Sequence, residues 1–277
     1  MDELRLPDPR LAAAWRRLLE ELSACGSLVV AFSGGVDSAL LLAAARRALE
    51  KRVLAALCTG PFTPPWEVER ARRLARELEV ELVECDLGEL DRPQIAANTP
   101  ERCYHCKRLR LKALLELARE RGLAAVAEGS QLDDAGEHRP GSRAVKELGI
   151  LSPLARAGLD KAGVRALSRA LGLATAEVPP AACLASRVPY GVPLSAAVLE
   201  RIARAEEALR CWFSGCLRVR DHFPLARVEL EPAELARAAA EPLRSQVVAA
   251  LKAAGYGQVC LDLEGYRSGG AGGGGLA

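Results

Sequence analysis

The hexapeptide Ser33–Ser38 is the stretch of the sequence most suited to chemistry, since it reads Ser-Gly-Gly-Val-Asp-Ser. It follows the apolar run 28–32 and precedes the helix-forming run 39–49, a pattern that predicts a strand, a glycine turn and a helix. The unbonded amides and the positive dipole end of a helix start favour an anion in such a turn. The two glycines let a phosphate approach the backbone, and the two serines add hydroxyl donors. We therefore predict a nucleotide site here, with an ordinary serine-capped turn as the alternative.

Acidic side chains accompany this turn. Asp37 opens the predicted helix, where a carboxylate either complements the helix dipole or contacts the magnesium ion that ATP chemistry needs, and both roles are compatible. The stretch 128–134 follows another predicted strand and contains Glu128, Asp133 and Asp134. We expect this stretch to contact the nucleotide or its magnesium ion, and a solvated loop is the alternative.

Two cysteine-containing stretches could also carry chemistry. Cys103 and Cys106 form a CxxC pair, which fits half a zinc site, a redox pair, or a structural or substrate-side role. The basic residue on either side of this pair is expected to contact phosphate. Cys183 lies four residues before Arg187 in a predicted loop, so it is a candidate low-pKa thiolate. For an isolated cysteine, a small buried apolar residue is the alternative.

The predicted elements place these groups at one edge of a sheet. Strands are predicted at 28–32, 52–58, 80–85 and 124–129, and the helices between them at 39–49, 66–78 and 106–121. This alternation predicts an α/β fold with a Rossmann-like parallel sheet and helices on both faces. Because ligands bind at the carboxyl ends of such strands, the loops there should surround one nucleotide. The residues assigned to nucleotide binding are Ser33, Gly34, Gly35, Asp37, Ser38, Thr59, Gly129 and Arg139.

The pattern changes in the last third of the chain. Strands are predicted at 216–220, 225–230 and 259–263, a helix at 195–212, and helical sequence at 233–254 with a break at Pro242. This order predicts a smaller α+β domain. We therefore expect a nucleotide domain at 1–180, the α+β domain at 181–267 and a disordered glycine-rich tail at 268–277.

The composition excludes several classes of protein. Half of the residues are apolar and the net charge is only +2, which argues against a general polyanion binder. No apolar run reaches the roughly twenty residues of a membrane helix, and the charged start has no signal-peptide core. We expect a cytoplasmic protein without nucleic-acid or membrane partners. Nine cysteines without a secretory signal argue against a disulfide framework.

Longer motifs carry a family resemblance. The Ser33–Ser38 turn resembles the PP-loop of ATP pyrophosphatases, which cleave ATP between its α and β phosphates. The stretches NTPERCYHCK, EGSQLDDAGEHRPG, ACLASRVPYG, LRVRDH and LDLEGYRSG resemble the LarE family of PP-loop sulfur transferases over nearly the whole chain. This resemblance implies an adenine nucleotide alpha-hydrolase fold. It also implies that ATP and Mg²⁺ serve to adenylate a carboxylate of pyridinium-3,5-biscarboxylate mononucleotide, which then becomes a thiocarboxylate for the nickel-pincer nucleotide cofactor.

The resemblance also implies roles for individual residues. Cys183 matches the family's sulfur-donating position and is expected to be catalytic together with Arg218 and Glu229. Substrate binding is assigned to Arg187, Arg220 and Arg267, and a divalent cation to Asp37, Glu206 and Asp262. In the simplest route Cys183 loses its sulfur and becomes dehydroalanine. The partners expected are a small nucleotide substrate and further copies of the chain in a homo-oligomer.

Two cysteines depart from the family pattern. Cys211 and Cys216 stand where an apolar helix end and a turn are expected. Because side chains alternate along a strand, Cys216 should share a face with Arg218 and could lie near Cys183. Three thiolates could hold a [4Fe–4S] cluster whose open iron carries an extra sulfide as the sulfur donor. The cluster route and the sacrificial route are both left open.

Three other functions compete with this assignment. A tRNA thiolase shares a PP-loop and cysteines, but it should carry a basic RNA-binding extension, and none is visible in the sequence. An ammonia-using ligase shares the ATP chemistry but has no need of Cys183. A non-catalytic nucleotide-binding or metal-binding protein has no need to keep both the Ser33–Ser38 turn and the Cys183 stretch.

Overall fold

The structure is a computed structural model that describes residues 4, 6–135, 140–179 and 182–267. Within these residues the chain divides into two compact units. The first takes the chain up to Gly60, Glu67–Leu87 and Cys103–Val178; the second takes Pro61–Trp66, Gly88–Arg102 and the chain from Pro179 onward. The boundary predicted at residue 180 falls beside this division. The two earlier segments of the second unit were not anticipated, because they read as loops of the nucleotide domain.

The helices and strands alternate in the first unit as the sequence predicts. The helices are α1 Pro9–Ala24, α2 Val36–Leu49, α3 Pro65–Glu77, α4 Pro93–Ala96, α5 Arg102–Glu120, α6 Pro140–Glu147, α7 Pro153–Arg156, α8 Lys161–Ala170, α9 Ala196–Leu209, α10 Leu235–Ala239 and α11 Leu243–Ala253. The strands are β1 Leu28–Ala31, β2 Val53–Thr59, β3 Glu81–Asp86, β4 Ala125–Ala127, β5 Leu217–His222, β6 Leu225–Leu230 and β7 Gln258–Leu261. Helix α5 starts four residues before its predicted start at Cys106, so the CxxC pair lies inside its first turns.

The sheet of the first unit is parallel, with the strand order β3-β2-β1-β4. Its faces bury different residues, because side chains alternate along each strand. Val29 and Val126 pack with Leu111 of α5 on one face, whereas Val30 packs with Leu40 of α2 on the other. Both faces are thus covered by helices, as parallel sheets require. The predicted Rossmann-like α/β class is confirmed.

The strand order defines where a ligand is expected. Strands β2 and β3 follow β1 on one side, while β4 pairs with β1 on the other. The order therefore reverses between β1 and β4, and in open α/β sheets the crevice at such a reversal, beyond the carboxyl ends of the strands, is the usual ligand position. The segments that leave these two ends are Phe32–Gly35 and Glu128–Gln131.

The second unit is built around a small mixed sheet. Strand β5 is antiparallel to β6, and β7 is parallel to β6. Val219 and Val228 contribute to a core that includes Phe213 and Leu251 of α11. The predicted break at Pro242 is present, because α10 ends at Ala239 and α11 begins at Leu243. The predicted tail 268–277 lies outside the described residues.

None of the helices in the described ranges is both long enough and apolar enough to cross a membrane.

Candidate functional site

The loop after β1 is held in shape by its own polar groups. Ser33 and Ser38 share a hydrogen bond between their hydroxyl oxygens at 3.1 Å, and the Ser38 hydroxyl also donates to the Gly35 carbonyl at 3.1 Å. Gly34 has φ +69°, and a Cβ added there would lie 3.0 Å from Ala71 of α3. Any other residue at Gly34 would therefore be strained by its conformation and crowded by α3.

Arg70 of α3 supports the same loop. Its Nε donates to the Gly34 carbonyl at 2.9 Å, while its Nη2 is buried with no hydrogen-bond partner among the described residues. Burial lowers the pKa of Arg70. A buried guanidinium nitrogen without an acceptor beside a phosphate-type loop suits an anionic ligand. Sequence analysis did not identify Arg70, because its importance depends on α3 lying against the loop.

The loops after β1 and β4 lie against each other. A Cβ added at Gly129 would lie 3.1 Å from the amide nitrogen of Ser38 and 3.3 Å from Cβ of Asp37. The absence of a side chain at Gly129 thus permits this close approach. The structure therefore brings together two of the predicted nucleotide segments at the reversal of strand order.

Asp37 is paired with a residue that the sequence analysis did not single out. Lys161, the first residue of α8, places its Nζ 2.9 and 2.6 Å from the two carboxylate oxygens of Asp37. The backbone amide of Lys161 donates to Asp133 at 3.0 Å. Asp133 is thereby part of the support of Lys161, and Lys161 supplies a cation beside the glycine loop.

Glu128 is the most fully engaged carboxylate of the first unit. It accepts hydrogen bonds from Lys107 Nζ at 2.8 Å, from the Ser152 hydroxyl at 2.7 Å, and from the amide and hydroxyl of Ser130 at 3.1 and 2.9 Å. Burial by itself would raise the pKa of Glu128, but the Lys107 charge and these hydrogen bonds outweigh burial and lower it. An ionised carboxylate and a lysine therefore form a fixed pair at the end of β4.

Two further predicted nucleotide residues have different standing. Thr59 ends β2 and pairs in register with Asp86 of β3, so it lies at the carboxyl edge of the sheet. Arg139 lies outside the described residues. The remaining predicted residues of this group lie on the β1 and β4 loops described above.

In the second unit, the stretch after Cys183 is held by the motif that precedes the CxxC pair. Asn98 is buried, and its Nδ2 donates to the carbonyls of Pro189 at 2.8 Å and Val192 at 3.0 Å. Arg102 donates to Asn98 Oδ1 and, at 2.9 Å, to the Ala185 carbonyl. Arg102 is buried, so the prediction that it contacts phosphate is wrong, and its role is to hold this loop.

Arg187 has the same kind of role. Its side chain is 1% exposed and pairs with Glu206 of α9, which is 0% exposed, through contacts of 2.7 and 2.8 Å. Its Nη1 donates to the carbonyls of Ala182 and Cys183. Glu206 also accepts from the Val219 amide at 3.0 Å. This buried pair therefore joins the Cys183 turn to α9 and β5. The arrangement favours positioning over the substrate and metal contacts predicted for Arg187 and Glu206.

Arg220 and Glu229 form a second polar group on neighbouring strands. Arg220 donates to Glu229 Oε1 at 2.9 Å and to the Ser186 carbonyl at 2.7 Å. Arg227 donates to the same Oε1 at 3.0 Å, whereas the buried Oε2 has no hydrogen-bond partner among the described residues. A buried carboxylate oxygen without a donor can accept a proton or a ligand hydrogen bond.

The other predicted arginines differ in exposure. Arg218 is buried, with its guanidinium 5.1 Å from the Tyr266 ring centre, and its pKa is lowered by burial and then by the nearby charge of Arg187. Arg267 is exposed and pairs with Glu264. Arg218 therefore lies inside the polar network of the second unit, whereas Arg267 faces solvent.

The predicted metal ligands are not gathered into a site. Within the described ranges, no group of three His, Cys, Asp or Glu side chains could hold a metal ion. Cys211 is exposed and its thiol donates to the Ala208 carbonyl at 3.2 Å, while the backbone amide of Cys216 donates to Glu231 at 3.0 Å. Cys216 precedes β5 and does not share its pleat, contrary to the prediction. The three thiols as placed do not fit a cluster. Asp262 pairs with Arg227 at 3.6 Å.

Comparisons with known proteins agree with this arrangement. Residues 10–131 match the family model described as NAD synthase, which covers the first sheet and the glycine loop. The chain is 37% identical over 241 residues to an uncharacterised protein of Synechocystis, covering 87% of this chain and 90% of that one. It is 31% identical over 247 residues to an uncharacterised protein of Methanocaldococcus jannaschii, covering 87% and 91%.

A third relative has an assigned activity. The chain is 34% identical over 260 residues, covering 94% of each protein, to the pyridinium-3,5-bisthiocarboxylic acid mononucleotide synthase of Lactiplantibacillus plantarum. The similarity thus spans both units, beyond the part that the NAD synthase model matches. The chain belongs to the LarE family of PP-loop proteins, the family of that synthase.

Proposed function

We propose that this chain is an ATP-dependent sulfurtransferase that forms AMP and pyrophosphate. Its substrate would be pyridinium-3,5-biscarboxylate mononucleotide, whose carboxylates become thiocarboxylates on the way to the nickel-pincer nucleotide cofactor. The observation that carries this proposal is the setting of Cys183. Its partly buried thiol belongs to a turn whose carbonyls are held by a fully buried arginine, Arg187, in a chain that also has a PP-loop. The name of the Lactiplantibacillus relative supports the substrate.

The first step would activate the substrate on the loop after β1. The phosphates of ATP would accept hydrogen bonds from the amides and serine hydroxyls of Ser33–Ser38. Arg70 Nη2 and Lys161 Nζ would neutralise the charge on the departing pyrophosphate. A substrate carboxylate oxygen attacks the α phosphorus, the bond to the bridging oxygen breaks, and pyrophosphate leaves with the electron pair. The product is an acyl-adenylate.

Asp37 would hold magnesium in this step. Mg²⁺ is commonly bound by one or two carboxylates together with substrate phosphates, so a group of three protein ligands is not required. When bound, the ion supplies charge neutralisation at the phosphates. Asp37 now pairs with Lys161, and magnesium binding to its carboxylate would free the Lys161 ammonium for a phosphate.

The second step would transfer sulfur from Cys183. Its thiolate attacks the acyl carbon, AMP leaves, and a thioester joins substrate and protein. The Cα proton of Cys183 then passes to a base, the Cβ–S bond breaks, and the electron pair stays on sulfur. The products are a thiocarboxylate and dehydroalanine at position 183. Glu229 is our candidate base, because its Oε2 is buried and has no donor among the described residues.

The arginines of the second unit would have two roles. Arg218 and Arg267 are the candidates for the substrate's anionic groups, since guanidinium binds carboxylate and phosphate bidentately. Arg220 and Arg187 would hold the Cys183 turn through the Ser186 and Cys183 carbonyls. We favour Cys183 over a cluster-bound sulfide as the donor, because Cys211 and Cys216 are not gathered with it into a metal site in the described residues.

The test is a single-turnover reaction with anaerobically purified protein. We expect AMP, pyrophosphate and thiocarboxylate to form in step, and the protein to lose the mass of H₂S within the tryptic peptide that contains Cys183. Cys183→Ala should still release pyrophosphate but form no thiocarboxylate. Cys25→Ser, which changes a thiol bonded to its own helix at Glu21, is the matched control and should react as the native protein does.

Three outcomes would contradict the proposal. Sulfur transfer by Cys183→Ala would exclude this residue as donor. Native protein that transfers sulfur, keeps its mass and contains about four irons per chain would support the cluster route. Thiolation of tRNA in place of the pyridinium substrate would identify a tRNA thiolase.

A further inference from the structure

The CxxC pair is not used in the proposed reaction. Cys103 and Cys106 are the second and fifth residues of α5, which extends over Arg102–Glu120. Both residues are partly buried, so reagents in solution can reach them. They are three residues apart on a helix, which puts them on the same face, one turn from each other.

The spacing allows the two sulfur atoms to bond. Residues three apart on a helix have Cβ atoms about 5–6 Å apart, whereas a disulfide needs about 3.8 Å. Closing the pair therefore requires the turn to tighten by about 1–2 Å. In the first turn of a helix the leading amides have no intrahelical acceptor, so this turn can tighten with little loss of hydrogen bonding. The same pair in the middle of α5 would have to distort bonded backbone.

The surroundings favour an attacking thiolate. Negative charge is stabilised at the start of a helix, where the dipole is positive and amides are unbonded. Lys107 and Arg108 follow the pair directly and add positive charge. Reactive CxxC pairs of thiol–disulfide exchange proteins have this combination of helix start, cationic neighbours and partial exposure.

A metal site is the other chemistry that a CxxC pair can provide. Structural zinc requires four ligands, of which a CxxC supplies two. Over residues 6–135, 140–179 and 182–267, no group of three His, Cys, Asp or Glu side chains is placed to hold a metal. The described structure therefore gives this pair no third protein ligand of those types.

We propose that Cys103 and Cys106 are a redox-active dithiol that exchanges with disulfides. The thiolate of one cysteine attacks a disulfide RSSR, a mixed disulfide forms and RS⁻ leaves. The second thiolate then attacks the protein sulfur of the mixed disulfide and releases another RS⁻, which takes up a proton as the first does. The dithiol is oxidised to an intramolecular disulfide and RSSR is reduced to two thiols. This inference does not rest on the sulfurtransferase function.

The oxidised pair would strain the residues at its two ends. Arg102 holds the Ala185 carbonyl, and Lys107 holds Glu128. Both contacts begin in the turn that must tighten. The redox state of the pair is therefore linked to residues on which two separate parts of the molecule depend.

The test is a redox titration of the native chain in anaerobic glutathione buffers of increasing oxidised fraction. After acid quenching and alkylation, trypsin should release the peptide Cys103–Lys107, which contains both cysteines and no other. We expect this peptide to change from doubly alkylated to unalkylated and lighter by two hydrogens, in a single transition that reverses on reduction. Cys25, whose pKa is raised by burial, should remain alkylated through that transition.

Single variants test the mechanism without requiring activity. Cys106→Ser and Cys103→Ser should each fail to form the internal disulfide and should accumulate the glutathione adduct on the remaining cysteine. Native protein that only accumulates glutathione adducts would overturn the proposal. So would a pair that stays reduced where Cys25 is already modified. About one zinc per chain that protects both thiols from alkylation would overturn it in favour of a metal site.

Discussion

The PP-loop and the Cys183 turn are built in different ways, although both are short segments with a chemical role. The PP-loop is formed mainly by neighbours in sequence, since Ser33, Gly35 and Ser38 bond to one another within six residues. The Cys183 turn is held by groups far away in the chain. Asn98 and Arg102 bind its continuation, and the Phe62 carbonyl accepts from the Leu184 amide at 3.0 Å. The first can therefore be identified from a local pattern, while the second depends on distant side chains.

This difference predicts that the two regions fail differently on mutation. The PP-loop should be sensitive to backbone geometry, because its function depends on amide directions. The Cys183 turn should be sensitive to loss of buried polar groups, because a buried donor or acceptor without its partner is costly.

The largest effect is expected from Arg187→Met. The substitution leaves Glu206 charged and fully buried without its cation, which costs about 3–5 kcal/mol of the free energy of unfolding. Urea unfolding measures the loss. The double variant with Glu206→Met should recover much of it, because an apolar pair of similar size avoids the unpaired charge. A single variant as stable as the native chain would show that this turn does not depend on the pair.

Gly34→Ala is the next most severe change. Ala at φ +69° is strained, and its Cβ would lie 3.0 Å from Ala71. We expect a loss of about 1–3 kcal/mol of stability and much weaker ATP binding, measured by unfolding and by calorimetry. Gly26→Ala is the matched control, since Gly26 has φ +72° but no atom within 4 Å of an added Cβ. Equal effects in both variants would mean that crowding by α3 is unimportant.

Asn98→Ala should have a smaller effect on stability, of about 1–2 kcal/mol. It removes the amide that donates to Pro189 and Val192 and the acceptor of Arg102. If the turn depends on distant groups, Cys183 should become more reactive toward a maleimide in this variant, while ATP affinity stays unchanged. A change in ATP affinity with unchanged thiol reactivity would reverse the comparison.

The smallest effect concerns acid stability. The pKa of Glu128 is lowered in the folded chain, so its ionised form stabilises the fold at pH above its ordinary value of 4.5. That contribution is lost as the pH falls through the lower, folded-state pKa. Glu128→Gln should therefore flatten the fall in stability below pH 4.5 in acid unfolding experiments. An unchanged slope would show that Glu128 does not contribute to it.

Much of the nucleotide side could be predicted from the sequence. The alternation of strands and helices was sufficient for the parallel sheet, and the Ser33–Ser38 pattern for the position of its loop, because both are local or periodic signals. Lys161 and Arg70 could not be predicted in this way. Each reaches the loop from a helix that is distant in the chain, and nothing in the neighbouring sequence marks either residue.

The sequence alone therefore determined the fold class, the PP-loop and the likeness to the LarE family, since these depend on hydrophobic period and contiguous motifs. Only the tertiary structure decided which charged residues are buried in pairs and which remain exposed. Arg187, Arg102 and Glu206 read as ligands in the sequence but are internal supports in the fold. The physical reason is that an ion pair needs two partners, and burial decides whether their charges serve each other or a ligand.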